Sequence, residues 1–321
     1  MCEISGAIQA ICTSLGDDLS SMSAGDVGVL PLAEIMRHHT ELLVHPLFWT
    51  SRHLEMMGFQ FQRVSDATQH EQHKDDQQFL NKLSKEVESE AQALVRSLGL
   101  QVNLKAAINT LLSKGIILNK LKQGPDFVFA GRCVHRPLYT VFYRKDQPEQ
   151  FVCEGPLPVV GYVNYTDVSG PRWHKFVPHS RRGRTNLPVS RICKIKRARV
   201  TPQDWKEEPY FACILLSLAQ VQENLFKPKM PIIYLSRLLV TSFKDRDSIH
   251  IYKARIPSEL LKSLENPSAA MTKSDLITIE HIQIPAIPFE TLPRRILAEL
   301  SVTDVSPSNL TLADVNTSAD Q

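Results

Sequence analysis

The spacing of apolar residues changes character along this chain. From residue 30 to about residue 120 the apolar positions recur every three or four residues, the period of an amphipathic helix. "LPLAEIMRHHTELLVHPLFW" (30–49) sets Leu32, Ile35, Met36 and Leu43 at helical spacing and stops at Pro46. "SDATQHEQHKDDQQ" (65–78) holds no aliphatic residue larger than alanine and reads as an exposed linker. The clearest stripe follows: Phe79, Leu80, Leu83, Val87, Ala91, Leu94, Val95 and Leu98, closed by Gly99. A shorter helix is predicted over 104–115.

Past Gly124 the pattern becomes strand-like. "DFVFAG", "LYTVFYRK", "QFVCEG" and "PVVGYVNYT" are short, rich in valine and aromatics, and punctuated by Gly and Pro. In "SRICKIKRARV" (190–200), Ile192, Ile195 and Ala198 alternate with cations, which suggests a strand with one wet face. Then comes the densest apolar run, "EEPYFACILLSLAQVQ" (207–222). It is shorter than the roughly 20 residues a membrane span requires, and Gln220, Gln222 and Glu223 follow it at once. The spacing predicts a buried soluble helix over 209–225, opened by Pro209 and acidic residues. Gln220 is expected to hydrogen-bond a neighbouring strand, since a buried amide needs partners. Two strands (231–243 and 248–256) joined by a "KDRD" turn, a short helix (257–264), a strand (276–287) and a final helix (290–300) complete the pattern.

This order predicts an α+β fold, with an N-terminal helical region followed by a mixed β-sheet packed around a buried central helix. The expected divisions are a helical region (1–64), a linker (65–78), amphipathic helices covering the core (79–124), an α+β domain (125–301) and a disordered tail (302–321). The tail has no Lys or Arg and no packing stripe.

Composition adds little until charge is located. The chain has 321 residues, 43% of them hydrophobic, enough for a sizeable core. Its six cysteines include no C-x-x-C pair, so reduced thiols and a cytoplasmic or nuclear location are expected, with no membrane partner. The first twenty residues make a poor secretory signal. The net charge is only +3, but it conceals segregation. Ten of the 37 Lys and Arg fall in 171–200, a segment without Asp or Glu. These ten are Arg172, Lys175, Arg181, Arg182, Arg184, Arg191, Lys194, Lys196, Arg197 and Arg199. They form the candidate anion-binding set, with nucleic acid or another polyanion as the expected partner.

Strands and a helix beside a basic segment resemble the element order of PD-(D/E)xK nuclease cores. Such a core needs a carboxylate on one strand and acid-x-lysine on the next, holding a divalent cation such as Mg²⁺. Here Lys194 and Lys196 supply lysines, but the acid two residues before each is missing. Asp126, Glu154 and Asp167 are the nearest upstream carboxylates, and their spacing gives no support for a site. His38, His39, His45, His70 and His73 form no ligand pattern, and surface histidines are the default reading. No phosphate loop, nucleophile elbow or H-E-x-x-H is present, so no cofactor is expected.

Residues 205–222, 237–267 and 287–300 resemble a group of uncharacterised proteins from filamentous fungi, over the C-terminal third only. The resemblance carries no catalytic residue onto this chain, and implies at most an accessory role in a biosynthetic pathway for a specialised metabolite. The leading expectation is therefore a non-catalytic binding or accessory protein whose basic segment engages an anionic partner. The alternatives are a divalent-metal nuclease with a rearranged site and an accessory protein in a fungal biosynthetic pathway for a specialised metabolite. None of the three fixes the oligomeric state.

Overall fold

A computed structural model describes residues 31–39, 44–64, 118–121, 125–144, 160–178, 180–181, 184–226, 232–269, 276–288 and 291–301. The predicted helices at 79–98 and 104–115, the linker, the "QFVCEG" strand and the tail lie outside the described residues.

The elements in chain order are α1 (Leu32–His38), a 3-10 turn (Pro46–Phe48), α2 (Ser51–Met56), β1 (Phe59–Arg63), β2 (Leu118–Leu121), β3 (Phe127–Phe129), β4 (Arg132–His135), β5 (Thr140–Arg144) and β6 (Val160–Asn164). There follow α3 (Thr166–Lys175), β7 (Ser180–Arg181), β8 (Arg184–Thr185), α4 (Leu187–Val200), a 3-10 turn (Trp205–Glu207) and α5 (Tyr210–Phe226). The described residues end with β9 (Ile233–Ser242), β10 (Asp245–Pro257), α6 (Ser258–Glu265), β11 (Ile277–Pro285) and α7 (Leu292–Ser301). The class is α+β.

Among the described residues seven strands form one mixed sheet, in the order β1-β11-β10-β9-β6-β5-β2. The β9–β10 hairpin is its centre, with Leu238 opposite Tyr252 and Leu239 opposite Ile251. β11 runs antiparallel to β10, and β6 runs parallel to β9. A parallel neighbour requires a long crossover, and the chain supplies it with α3, α4 and α5 between β6 and β9.

Successive strand residues face opposite sides of a sheet, and here both sides are covered. Leu238, Val240, Tyr252, Ala254 and Ile279 pack into the cluster that contains α5. Leu239, Ile249, Ile251, Ile282 and Ile284 pack into a second cluster with Leu292, Ile296 and Leu300 of α7. Two buried faces explain why the central strands read as nearly unbroken apolar runs.

Helix α5 is apolar on almost every side because it is buried on every side. Phe211, Ala212, Cys213, Ile214, Leu215, Leu216, Leu218 and Ala219 are all inaccessible to solvent. One face meets the sheet, closely enough that a Cβ on Gly161 of β6 would lie 3.0 Å from Leu218 Cδ1 and 3.1 Å from Leu238 Cδ1. The rest is covered by Leu260, Leu261 and Leu264 of α6 and by Leu47, Trp49 and Leu54 from the N-terminal segment. Gln220 reaches the β3–β4 hairpin as expected: its Oε1 accepts from Val128 N at 3.0 Å and its Nε2 donates to Val128 O at 2.7 Å. Among the described residues no helix is long and apolar enough to cross a membrane.

Three local expectations change. Residues 190–200 form helix α4 rather than a strand. Ile192 and Ile195 are three apart, which shares a helix face but would divide across a strand. Asn186 starts the helix, its side chain accepting from Val189 N at 3.3 Å, and Pro188 fits the first turn. Residues 59–63, assigned by the sequence to a helical region, form an edge strand parallel to β11, with Phe59 beside Ile277. Residues 118–121, expected within the helical segment 79–124, form strand β2, antiparallel to β5 with Leu118 opposite Arg144.

Leu215→Ala or Leu216→Ala should each destabilise the protein by about 2–5 kcal/mol in urea unfolding, as expected for a large core side chain. A loss of less than about 0.5 kcal/mol at both positions would show that α5 is not the centre of the core.

Candidate functional site

The ten cations of 171–200 do not act as one surface. Arg172, on α3, is only 1% exposed. Its Nη1 and Nη2 donate to the two oxygens of Glu208 at 2.6 and 2.5 Å, and its Nε donates to Leu47 O at 2.8 Å. Glu208 is itself fully buried and also accepts from Tyr210 N at 3.2 Å and from Tyr165 Oη at 3.4 Å. A buried charge survives only when paired and fully hydrogen-bonded. Arg172 is thus an internal strut and leaves the anion-binding set. Lys175 is exposed at the end of α3, and Arg181 and Arg184 belong to the small β7–β8 hairpin. Arg182 and Glu154 lie outside the described residues.

The remaining five cations are on α4, which buries none of its residues. Ser190, Cys193, Arg197 and Val200 are half-exposed and form its inner side. Arg191, Lys194, Lys196 and Arg199 are exposed. Among the described residues none of the five has an ion-pair partner. Between them stand Ile192 and Ile195, 53% and 55% exposed, with Leu187 at 70%.

The nuclease expectation lacks its framework in this part of the chain. Lys194 and Lys196 are on a helix, two residues apart and so turned about 200° from each other. Asp126 pairs with Arg136 Nε at 2.9 Å, and Asp167 sits in the first turn of α3. Among the described residues no group of three or more His, Cys, Asp or Glu is placed to hold a metal ion. His38 pairs with Glu34 at 3.0 Å, and His70 and His73 lie outside the described residues.

Two histidine networks were not anticipated. On the α5 side of the sheet, Asp245 Oδ2 lies 3.1 Å from His250 Nε2, and His250 Nδ1 lies 2.9 Å from His281 Nε2. One tautomer set satisfies both contacts: His250 Nε2–H donates to Asp245 and His281 Nε2–H donates to His250 Nδ1. Gln283 Nε2 donates to Ser248 Oγ at 2.8 Å and to Asp245 Oδ2 at 3.3 Å. Trp205 stands edge-on to His250 at 4.9 Å, and Tyr252 stacks on His281 at 4.8 Å. His250 is wholly buried and His281 only 5% exposed. Burial pulls both down to about 4, and the neighbouring His250 adds to the effect on His281. The network ties the β9–β10 turn to β11 and offers no reactive group to a solute. Its sequence signal was a histidine at an inward-facing position of an alternating strand, in "SIHIYK" and in "EHIQI".

The second network caps α5. His135 Nε2 lies 2.6 Å from Tyr210 Oη, and the His45 ring meets His135 edge-on at 4.2 Å. His45 Nδ1 accepts from Leu47 N at 3.1 Å. Burial, with His45 alongside, brings His135 down to about 3, and burial with Lys175 nearby lowers His45.

Comparison with family models gives no match, and neither do comparisons with curated proteins or with solved structures.

Two outcomes follow. Arg172→Met should cost about 3–5 kcal/mol, because it strands the Glu208 charge, and adding Glu208→Leu should recover part of the loss. The buried His250 and His281 remain neutral in the fold down to about pH 4, and the half-buried His135 to about pH 3, whereas an unfolded imidazole protonates near 6.5. Their depressed values therefore make stability complete above about pH 6.5 and diminishing as pH falls toward 4. His250→Asn should flatten that part of the stability–pH curve, as read by urea midpoints from pH 7.5 to 4.

Proposed function

We propose that this is a binding protein that engages an anionic partner through α4. The observation that carries the proposal is that a 14-residue helix lies on the surface with no buried residue, five cations and no carboxylate of its own. Clustered cations without partners repel one another and raise the local concentration of anions. Among the described residues the five have no ion-pair partner, and α4 contributes no buried side chain to the core. A helix kept at this electrostatic cost is best explained by a partner that removes it. Arg191, Lys196 and Arg199 make the contact; Lys194 lies farther round the helix and Arg197 is on its inner side.

Retention on heparin-agarose tests the reading. The protein should bind at low ionic strength and elute as salt rises. Arg191→Glu/Lys196→Glu/Arg199→Glu should elute at clearly lower salt. These are surface positions, so its unfolding free energy should stay within about 0.5 kcal/mol of the wild type. Flow-through of the wild-type protein at low salt, or unchanged retention of the stable variant, would end the proposal.

A further inference from the structure

We infer that the anionic partner is a polypeptide presenting an acidic amphipathic helix, which seats along the Ile192–Ile195 seam of α4. The inference rests on the function proposed above and deepens it, because charge alone does not account for what α4 exposes. Ile192 and Ile195 point outward, more than half exposed. With Pro188 and Arg199 they keep the 4-3-4 spacing of a helix–helix seam and fall within about 60° of one another around the axis. Lys196 borders the seam on one side and Arg191 on the other.

Other anionic partners fit this face less well. A duplex or single-stranded nucleic acid would set phosphates against isoleucines, and α4 has no aromatic residue on which a base would stack. A bilayer needs a broad apolar face, and here the apolar arc is too narrow, with Arg199 within it and Lys196 beside it. A second copy of α4 would oppose cations to cations. An acidic amphipathic helix satisfies both features: its apolar residues cover Ile192 and Ile195, and its carboxylates answer the bordering cations. The isoleucines then supply apolar burial, and the charges supply encounter rate and register.

The test uses the full chain and a synthetic 21-residue helical peptide with Leu at its seam positions and Glu at the flanking ones. Controls are the same peptide with every Leu replaced by Ala, duplex DNA, and phosphatidylglycerol vesicles. The Leu peptide should bind wild type at least ~10-fold more tightly than the Ala peptide. Ile192→Ala/Ile195→Ala should abolish that preference while leaving heparin retention unchanged. Circular dichroism of the variant, matching wild type, shows that α4 is retained. Equal binding of the two peptides, or a preference that survives the isoleucine substitutions, overturns the inference. So does tighter binding of DNA or vesicles than of the Leu peptide. Heparin retention separates the two levels: if it persists and the peptide preference is absent, only the helical partner is wrong. If retention is absent as well, the anionic-partner reading falls too.

Discussion

The joint on which this structure depends is the charge pair of Arg172 and Glu208. Both side chains are removed from water, and neither would be tolerated alone. Each hydrogen bond they make fastens a different part of the chain. The guanidinium holds α3 and reaches the N-terminal segment through Leu47 O. The carboxylate receives Tyr210 N, and so anchors the first turn of α5, where exposed amide groups favour negative charge. Three separate stretches of sequence therefore converge on one ion pair at the start of the most buried helix. Hydrophobic burial gives α5 its depth in the core, and this polar joint fixes where the helix begins.

Much of the scaffold was legible because burial leaves a direct trace in composition. A helix with no polar side must be covered on all sides, which located α5. The β9–β10 hairpin, β11, α6 and α7 followed from alternation and from turn residues. Gln220 was also legible: a single amide at the end of an apolar run needs a partner, and Val128 supplies it. What failed was local periodicity read carelessly or read alone. Ile192 and Ile195 are three positions apart, so they cannot share the face of a strand, yet the cations around them imitate alternation. β1 is only five residues long and offers too few positions to establish a period.

The candidate site was half legible for a different reason. Charge density is visible in a sequence, but accessibility is not. Arg172 stands among the ten cations of 171–200 and cannot be told from the others by composition, though it alone of those whose burial is described points into the core. The buried histidines show the converse. Isolated in the sequence, His250 and His281 become neighbours only through the register of β10 and β11, in which His281 lies opposite Tyr252. Pairings across long stretches of sequence are the information that residue patterns do not hold. With Arg172 removed, the densest group of cations that remains is on one helix, where Arg199, flanked by Arg191 and Lys196, shares the side of the exposed isoleucines. That coincidence distinguishes α4 from a merely solvated charged helix.

The parallel pairing of β1 with β11 carries a consequence for the order of events during synthesis. Phe59 and Ile277 are cross-strand neighbours, so β1 leaves the ribosome long before its partner exists. Until β11 emerges, Phe59 and Phe61 lack the strand they lie beside in the finished sheet, although β2, β5, β6, β9 and β10 can already pair. Closure of this long loop comes late and carries a large entropic cost. A nascent chain arrested before residue 277 therefore exposes an unsealed sheet edge and an unpaired strand at once. An open strand edge of this kind favours pairing with other chains, and β11, lying between β10 and β1, is the element that closes it.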